Sequence, residues 1–320
     1  MLDVFFTIDV EVWCDGWDDI DRKFPAAFRH YIYGAGGRYG LPDQLAILDD
    51  HGLKSVCFVE PLFAGRFGMA PLSEIIGLIE SRGHEIQLHL HTEWANEARQ
   101  PLPDIENPQR KRQHLFHYTL AEQTRLIAVG SAWLQAAGAD MPTAFRAGSF
   151  ALNADTLQAL EANAIYVDAS YNASTFGPAS GVGGGEILLL PRQIGSVLEL
   201  PMTVYNDGVG LRHAQLTACS WSELEHLLWQ ALEQQQDTFV ILSHSFELLT
   251  ARQTAPDPVV IRRLRKLCAF LDRHRDSFRV RGLCDQPLPK SVPKAGPGLH
   301  SSIWRTSARM LEQAGRRRYG

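Results

Sequence analysis

The sequence predicts an α/β fold, a distorted (β/α) barrel of seven to eight strands. Short apolar runs alternate with helical patterns along most of the 320 residues, giving seven or eight strand–helix units. The strands are near-continuous apolar runs, as in a parallel sheet buried on both faces. Conspicuous acids, histidines and an arginine fall at the C-terminal ends of these runs, where parallel barrels carry their sites.

Residues 4–12 form the first strand, rich in β-branched and aromatic side chains. Pro42 opens a helix that Gly52 stops. A second strand covers residues 55–60. Ser73 is placed to cap a helix carrying Ile75, Ile76 and Ile79, closed by Gly83. The third strand covers residues 85–91. Residues 95–118, with Pro101, Pro103 and Pro108, are read as an inserted loop. Thr119-Leu120-Ala121-Glu122 is a capping box opening a helix toward Gly138.

A short strand at 144–146, a helix at 154–162 and a strand at 166–170 follow. A glycine-rich loop spans 172–186, and 198–202 is a further strand. Ser220-Trp221-Ser222-Glu223 is a second capping box. Residues 238–244 form a strongly apolar strand, a helix covers about 259–274, and 278–283 is the closing strand. The sequence divides into a barrel domain, 1–288, and a tail, 289–320. The tail is a proline- and lysine-rich linker followed by a short basic amphipathic helix.

Hydrophobic residues make up 45% and charged residues 21%, ordinary for a soluble globular protein. The net charge of −5 argues against a nucleic-acid partner, which would normally meet a basic excess. Five scattered cysteines, with no Cys-x-x-Cys pair, suggest neither a disulfide framework nor a zinc ribbon. The N-terminus lacks the basic and apolar regions of a signal peptide, and no uncharged run reaches the roughly 18 residues of a membrane span. The expected location is cytoplasmic. The tail carries seven basic residues and one acid, and a helix of this kind can lie weakly on an anionic inner-membrane surface. The plainer expectation is that it packs on the barrel.

His89-Leu90-His91 is the sharpest chemical signal. Side chains at i and i+2 of a strand share a face, so two imidazoles can meet one metal ion. A carboxylate such as Glu11 would complete three protein ligands and leave a position for water, as in catalytic zinc sites. Glu93 follows in the same run. Asp9 and Glu11 obey the same spacing inside core-like sequence, where acids are rarely left unpaired. His244 ends the apolar strand 238–244, Arg146 ends the fourth strand, Glu60 ends the second, and Asp168 lies in the fifth.

These residues, in this order, resemble the polysaccharide deacetylase family, the NodB-homology fold of carbohydrate esterase family four, over about residues 3–286. Phe6-Thr7-Ile8-Asp9-Val10-Glu11 resembles its first motif, Thr-Phe-Asp-Asp. Gly52-Leu53-Lys54-Ser55-Val56-Cys57-Phe58-Val59 is similar to its second strand. Gly83-His84-Glu85-Ile86-Gln87-Leu88-His89 is similar to the approach to its second motif. Phe145-Arg146-Ala147-Gly148-Ser149-Phe150 resembles the third motif, Arg-x-Pro-Tyr, with glycine in place of proline. Leu198-Glu199-Leu200-Pro201 resembles a recurring segment, and Leu242-Ser243-His244 the fifth motif.

The resemblance implies hydrolysis of an N-acyl group, most often N-acetyl, from a sugar or glycan substrate. It implies one divalent metal ion, zinc by expectation, with Asp9 as base and Glu11 as ligand. The second motif, His-Ser/Thr-x-x-His, is altered: Glu93 stands where the second histidine would be. His91 then becomes the second imidazole and Glu93 the alternative ligand. Arg146 would orient the base, His244 would be the acid, and Asp168 would tune His244. The departures are similar to those of a divergent branch linked with bacterial lipopolysaccharide biosynthesis. Two other readings remain: a metal-independent C–N hydrolase of a small heterocycle, and a non-catalytic glycan-binding module.

Overall fold

The structure is a computed structural model that describes residues 1–319, apart from 101, 103, 106–109, 286, 287 and 289–297, with only the backbone for 317–319. The linker expected at 289–297 and Pro101, Pro103 and Pro108 lie outside the described residues. The larger elements run in chain order β1 (Leu2–Val10), α1 (Ile20–Tyr33), α2 (Leu41–Asp49), β2 (Val56–Val59), α3 (Met69–Glu80), β3 (Glu85–Leu90), α4 (Leu120–Ala136), β4 (Ala144–Ala147) and α5 (Ala154–Ala162). They continue with β5 (Val167–Asp168), β6 (Arg192–Ile194), β7 (Val197–Glu199), α6 (Trp221–Glu233), β8 (Thr238–His244), α7 (Pro258–Arg273), β9 (Phe278–Val280) and α8 (Ile303–Tyr319). Each of the eight expected strands is present. The antiparallel strand β6 adds a ninth to these ladders among the described residues.

The chain forms two compact units. The first comprises Met1–Val56 and Met202–Gly320. Its spine is β1, paired in parallel with β8 and with β9. Every residue of β1 is buried, which explains why its sequence is mostly apolar, with Asp3, Thr7 and Asp9 as the polar members. Helix α1 was not anticipated from the sequence, although Ile20, Phe24, Phe28 and Ile32 recur every four residues and are its buried face. The Ser220 box that caps α6 is formed, with Ser220 Oγ accepting from Glu223 N at 3.2 Å.

A small sheet in this unit pairs residues Val204–Asn206 with Leu211–His213 and with Leu299–His300. It leads into α8, the tail helix, which is tied down by polar contacts. Thr306 Oγ1 donates to Asp207 O at 2.9 Å. The buried Arg309 donates to Glu223 Oε1 at 3.0 Å and Asp207 Oδ2 at 2.6 Å, and Arg316 to Asp257 Oδ2 at 2.7 Å. The opposite face of α8 leaves Trp304 and Leu311 exposed. No described helix is long and apolar enough to cross a membrane.

The second unit is Cys57–Pro201. Here β3, β4, β5 and β7 pair in parallel, β2 lies beside β3, and β6 pairs antiparallel with β7. Helix α3 begins at Met69, four residues before the expected cap at Ser73, because Gly68 at φ 81° turns the chain into it. The Thr119–Glu122 box caps α4, and α4 meets α5 through Gln123 Nε2 donating to Asn153 Oδ1 at 3.1 Å.

Candidate active site

In the first unit, Asp9 and His244 are directly opposite each other in the β1–β8 ladder. Asp9 and Glu11 are both buried. The parallel register therefore delivers the acid and the histidine together at the same strand ends, and Ser245 N closes the junction by donating to Asp9 O at 3.0 Å. The backbone of His244 is held from beneath, its carbonyl accepting from Gln44 Nε2 at 2.6 Å, while Ser243 Oγ donates to Gln44 Oε1 at 2.9 Å.

The carboxylate at His244 Nδ1 is that of Glu247, at 3.6 Å. Glu247 also accepts from His244 N at 2.8 Å, from Gln215 Nε2 at 2.7 Å and from Thr217. Burial disfavours the Glu247 anion, but its bond to and attraction by His244, with the hydroxyl donors of Thr217 and Ser243, outweigh this and hold its carboxyl below the usual range. Burial likewise works against the His244 cation. The hydrogen bond and charge of Glu247, followed by the charges of Glu11 and Asp9, reverse this and lift the imidazole to about 9.

In the second unit, His89 and His91 stack edge to face with ring centroids 4.8 Å apart. Their ligand nitrogens lie within 4.8 Å of each other. His89 Nδ1 is 2.8 Å from the carbonyl of Arg146, so Nδ1 carries the proton and Nε2 is the nitrogen able to bind a metal. Such a backbone bond is the usual support of a metal-ligating histidine. His91 Nδ1 lies 3.6 Å from Glu93 Oε2, a pairing that orients the second ring.

Room for His91 depends on Gly148. A Cβ there would stand 2.7 Å from His91 Nδ1 and 2.9 Å from Cε1. Ser149 and Phe150, at φ 55° and 59°, complete a tight left-handed turn after Gly148. Two buried imidazoles on one strand face, one with its proton fixed by a carbonyl and one with its space reserved by a glycine, fit a divalent metal of the zinc type.

Glu60 is fully buried and accepts from Leu62 N at 2.7 Å and Phe63 N at 3.3 Å. Burial raises its carboxyl to about 8, against the lowering effect of those bonds and of His91. Arg146 is buried, with its guanidinium 4.2 Å from the centre of the Phe58 ring and Nε donating to Ala169 O at 3.1 Å. Asp168 and Glu199 are opposite each other in the β5–β7 ladder, and both are fully buried. Asp168 accepts from Ser170 Oγ, and Glu199 from Tyr171 N at 3.2 Å. Burial raises Asp168 to about 6 and holds Glu199 well above the usual carboxylate range, so the pair shares a proton.

Glu247 and Glu199 were not singled out from the sequence as site residues. Both carried a signal: an acid three residues after His244, and an acid embedded in an apolar strand.

Acids and histidines gather at the ends of parallel strands, the place where α/β folds of this layout carry their sites. The fold is that of the polysaccharide deacetylases, the distorted barrel of NodB-homology type. It is shown by similarity to a Mycobacterium smegmatis protein classed as a polysaccharide deacetylase, with a TM-score of 0.56 at 17% identity over 92% of this chain and 95% of that one. Weaker similarities include a family 4 carbohydrate esterase from Streptomyces lividans in complex with acetate (TM-score 0.42, 14% identity, 84% of this chain and 88% of that one). The chitin deacetylase of Colletotrichum lindemuthianum is another (0.43, 12%, 87% and 84%). No family model matches the sequence, and no curated protein matches it.

Proposed function

We propose that the protein is a metal-dependent hydrolase that removes an N-acyl group, most simply N-acetyl, from a sugar of a bacterial surface glycan or its precursor. The observation that carries this reading is the His89–His91 pair, with the His89 proton committed to the Arg146 carbonyl. We assign Glu11, His89 and His91 as the ligands of one zinc ion. When bound, the ion supplies Lewis-acid polarisation of the amide carbonyl and of the attacking water.

The chain's own residues supply the proton transfers and the orientation. Asp9 takes the proton of the attacking water. The backbone N–H groups of the turn at Ser149 donate to the developing oxyanion. His244, cationic below about pH 9, gives its proton to the departing amine, a poor leaving group without it. Glu247 keeps that imidazole charged and oriented, and Glu93 orients His91.

Incubation of the purified protein with N-acetylated oligosaccharides, with acetate as the readout and metal content measured in parallel, tests the proposal. Acetate release that disappears in Asp9→Asn and in His89→Ala/His91→Ala, the latter also without metal, is expected. Asp9→Asn should cut turnover by about 10² to 10⁴ with metal retained. Full metal content in the double histidine variant would overturn the ligand assignment.

A further inference from the structure

A cavity of about 780 Å³ lies beyond the end of β1, within the first unit. One wall is a face of α1. Arg22, Ala26 and His30 form one row of residues four apart, and Lys23, Ala27 and Tyr31 form the next. The two alanines leave space between cationic heads at one end of the helix and an aromatic foot at the other. Trp13, Cys14 and Asp15 form the second wall and residues 251–253 the third.

This cavity runs toward the proposed acid. A neighbouring cavity of about 300 Å³, lined by His244, Phe246 and Glu247, shares Ala251 and Gln253 with it. An aromatic row marks the path: Phe246 lies 5.4 Å from His244, and Tyr31 stands edge-on to Phe246 at 5.0 Å. Trp13 is braced edge-on by Trp17 at 6.0 Å, and His30 Nε2 lies 3.1 Å from Gln253 Oε1.

Three cations and one carboxylate line the larger cavity: Arg22, Lys23 and Arg252 against Asp15. Lys23 Nζ donates to the backbone carbonyl of Asp15 and to Asp18 Oδ1, both at 3.0 Å, and Arg22 pairs with Asp19. Asp18 and Asp19 are exposed and are not part of the lining. Among the lining residues the cations outnumber the carboxylates, while Asp18 and Asp19, outside the lining, hold Lys23 and Arg22 in place.

We propose that this cavity is a subsite for an acidic sugar, one bearing a phosphate or a carboxylate, beside the unit that loses its acyl group. The proposal rests on the deacylase reading for the substrate's other end. Aromatic walls take the apolar face of a pyranose ring. Lys23 and Arg252 take the anion through charge-assisted hydrogen bonds. The cavity's volume is in the range of small-molecule sites.

The test is ligand-observed NMR titration of the full chain with glucose 1-phosphate, glucuronate and glucose. None of these carries an N-acyl group, so binding is read independently of deacylation. Both acidic sugars should bind more tightly than glucose. Lys23→Gln/Arg252→Gln should weaken them about tenfold or more, the loss of two charged hydrogen bonds, and leave glucose unchanged. Trp13→Ala should weaken all three. Preference for glucose 1-phosphate alone identifies a phosphate-bearing sugar, and for glucuronate alone a uronic acid. Equal affinity for all three sugars, no binding of any, or full anion affinity in the double variant overturns the subsite. Acidic-sugar binding without acetate release from any substrate would leave the subsite standing and remove the deacylase reading.

Discussion

The Nδ1 atom of His244 lies 3.6 Å from Glu247 Oε2, and the backbone N–H of the same histidine donates to that same oxygen at 2.8 Å. One carboxylate therefore fixes both the position and the charge of the imidazole. Glu247→Gln keeps the shape and removes the charge. The raised value of about 9 means that His244 is a cation below that pH and loses its proton above it. In the variant the alkaline limb of the kcat profile should move down by about one to two pH units, with metal content unchanged. An unmoved limb would show that Glu247 does not govern the acid.

Gly148 is expected to control the metal site without touching the metal. Its missing side chain is the space occupied by His91. Gly148→Ala should displace that ring and weaken metal binding about 10- to 100-fold, the range seen for groups that orient ligands. Equilibrium dialysis against a metal buffer measures this. Wild-type affinity in the variant would mean that the turn yields without moving His91.

The Asp168–Glu199 pair predicts a pH-dependent stability. Both carboxyls are raised in the folded protein above their unfolded values, so their contribution is complete below about pH 4. It is lost as pH rises through about 6, where the folded pair gives up its first proton, and further on, where it is forced to release the one it shares. Glu199→Gln places an amide N–H where that proton stood. The variant should lose less stability than the wild type between pH 5 and pH 9 in thermal melts. Parallel profiles for the two proteins would exclude the shared proton.

Arg309 is predicted to be a structural anchor of the tail helix. It is buried between Glu223 and Asp207, and its removal takes the guanidinium that both buried carboxylates share. Arg309→Met should cost about 3–5 kcal/mol in urea unfolding of the full chain. A cost under about 0.5 kcal/mol would return α8 to the status of a surface appendage.

Much of the arrangement of the candidate residues was legible in the sequence because the relevant rules are local. Alternation at i and i+2 places Asp9 with Glu11 and His89 with His91 on shared faces, whatever the rest of the chain does. The capping boxes at Thr119 and Ser220 are three-residue relationships, and both formed. Acids inside apolar strands signalled that some partner existed. The anchoring of α8 was less legible: its arginines suggested a solvated basic face, whereas Arg309 and Arg316 are spent on carboxylates of the same unit.

The sequence by itself determined the α/β alternation, the acids and histidines at the strand ends, and the placing of His89 and His91 side by side. Tertiary structure decided which carboxylate serves which partner. Asp168, expected to tune His244, is engaged with Ser170 and Glu199, and the carboxylate at His244 Nδ1 is that of Glu247. The reason is physical. Strand and helix periodicity act over a few residues, but partnership between buried charges is set by ladder register and by which neighbours share the low-dielectric interior, and neither is encoded in any one segment.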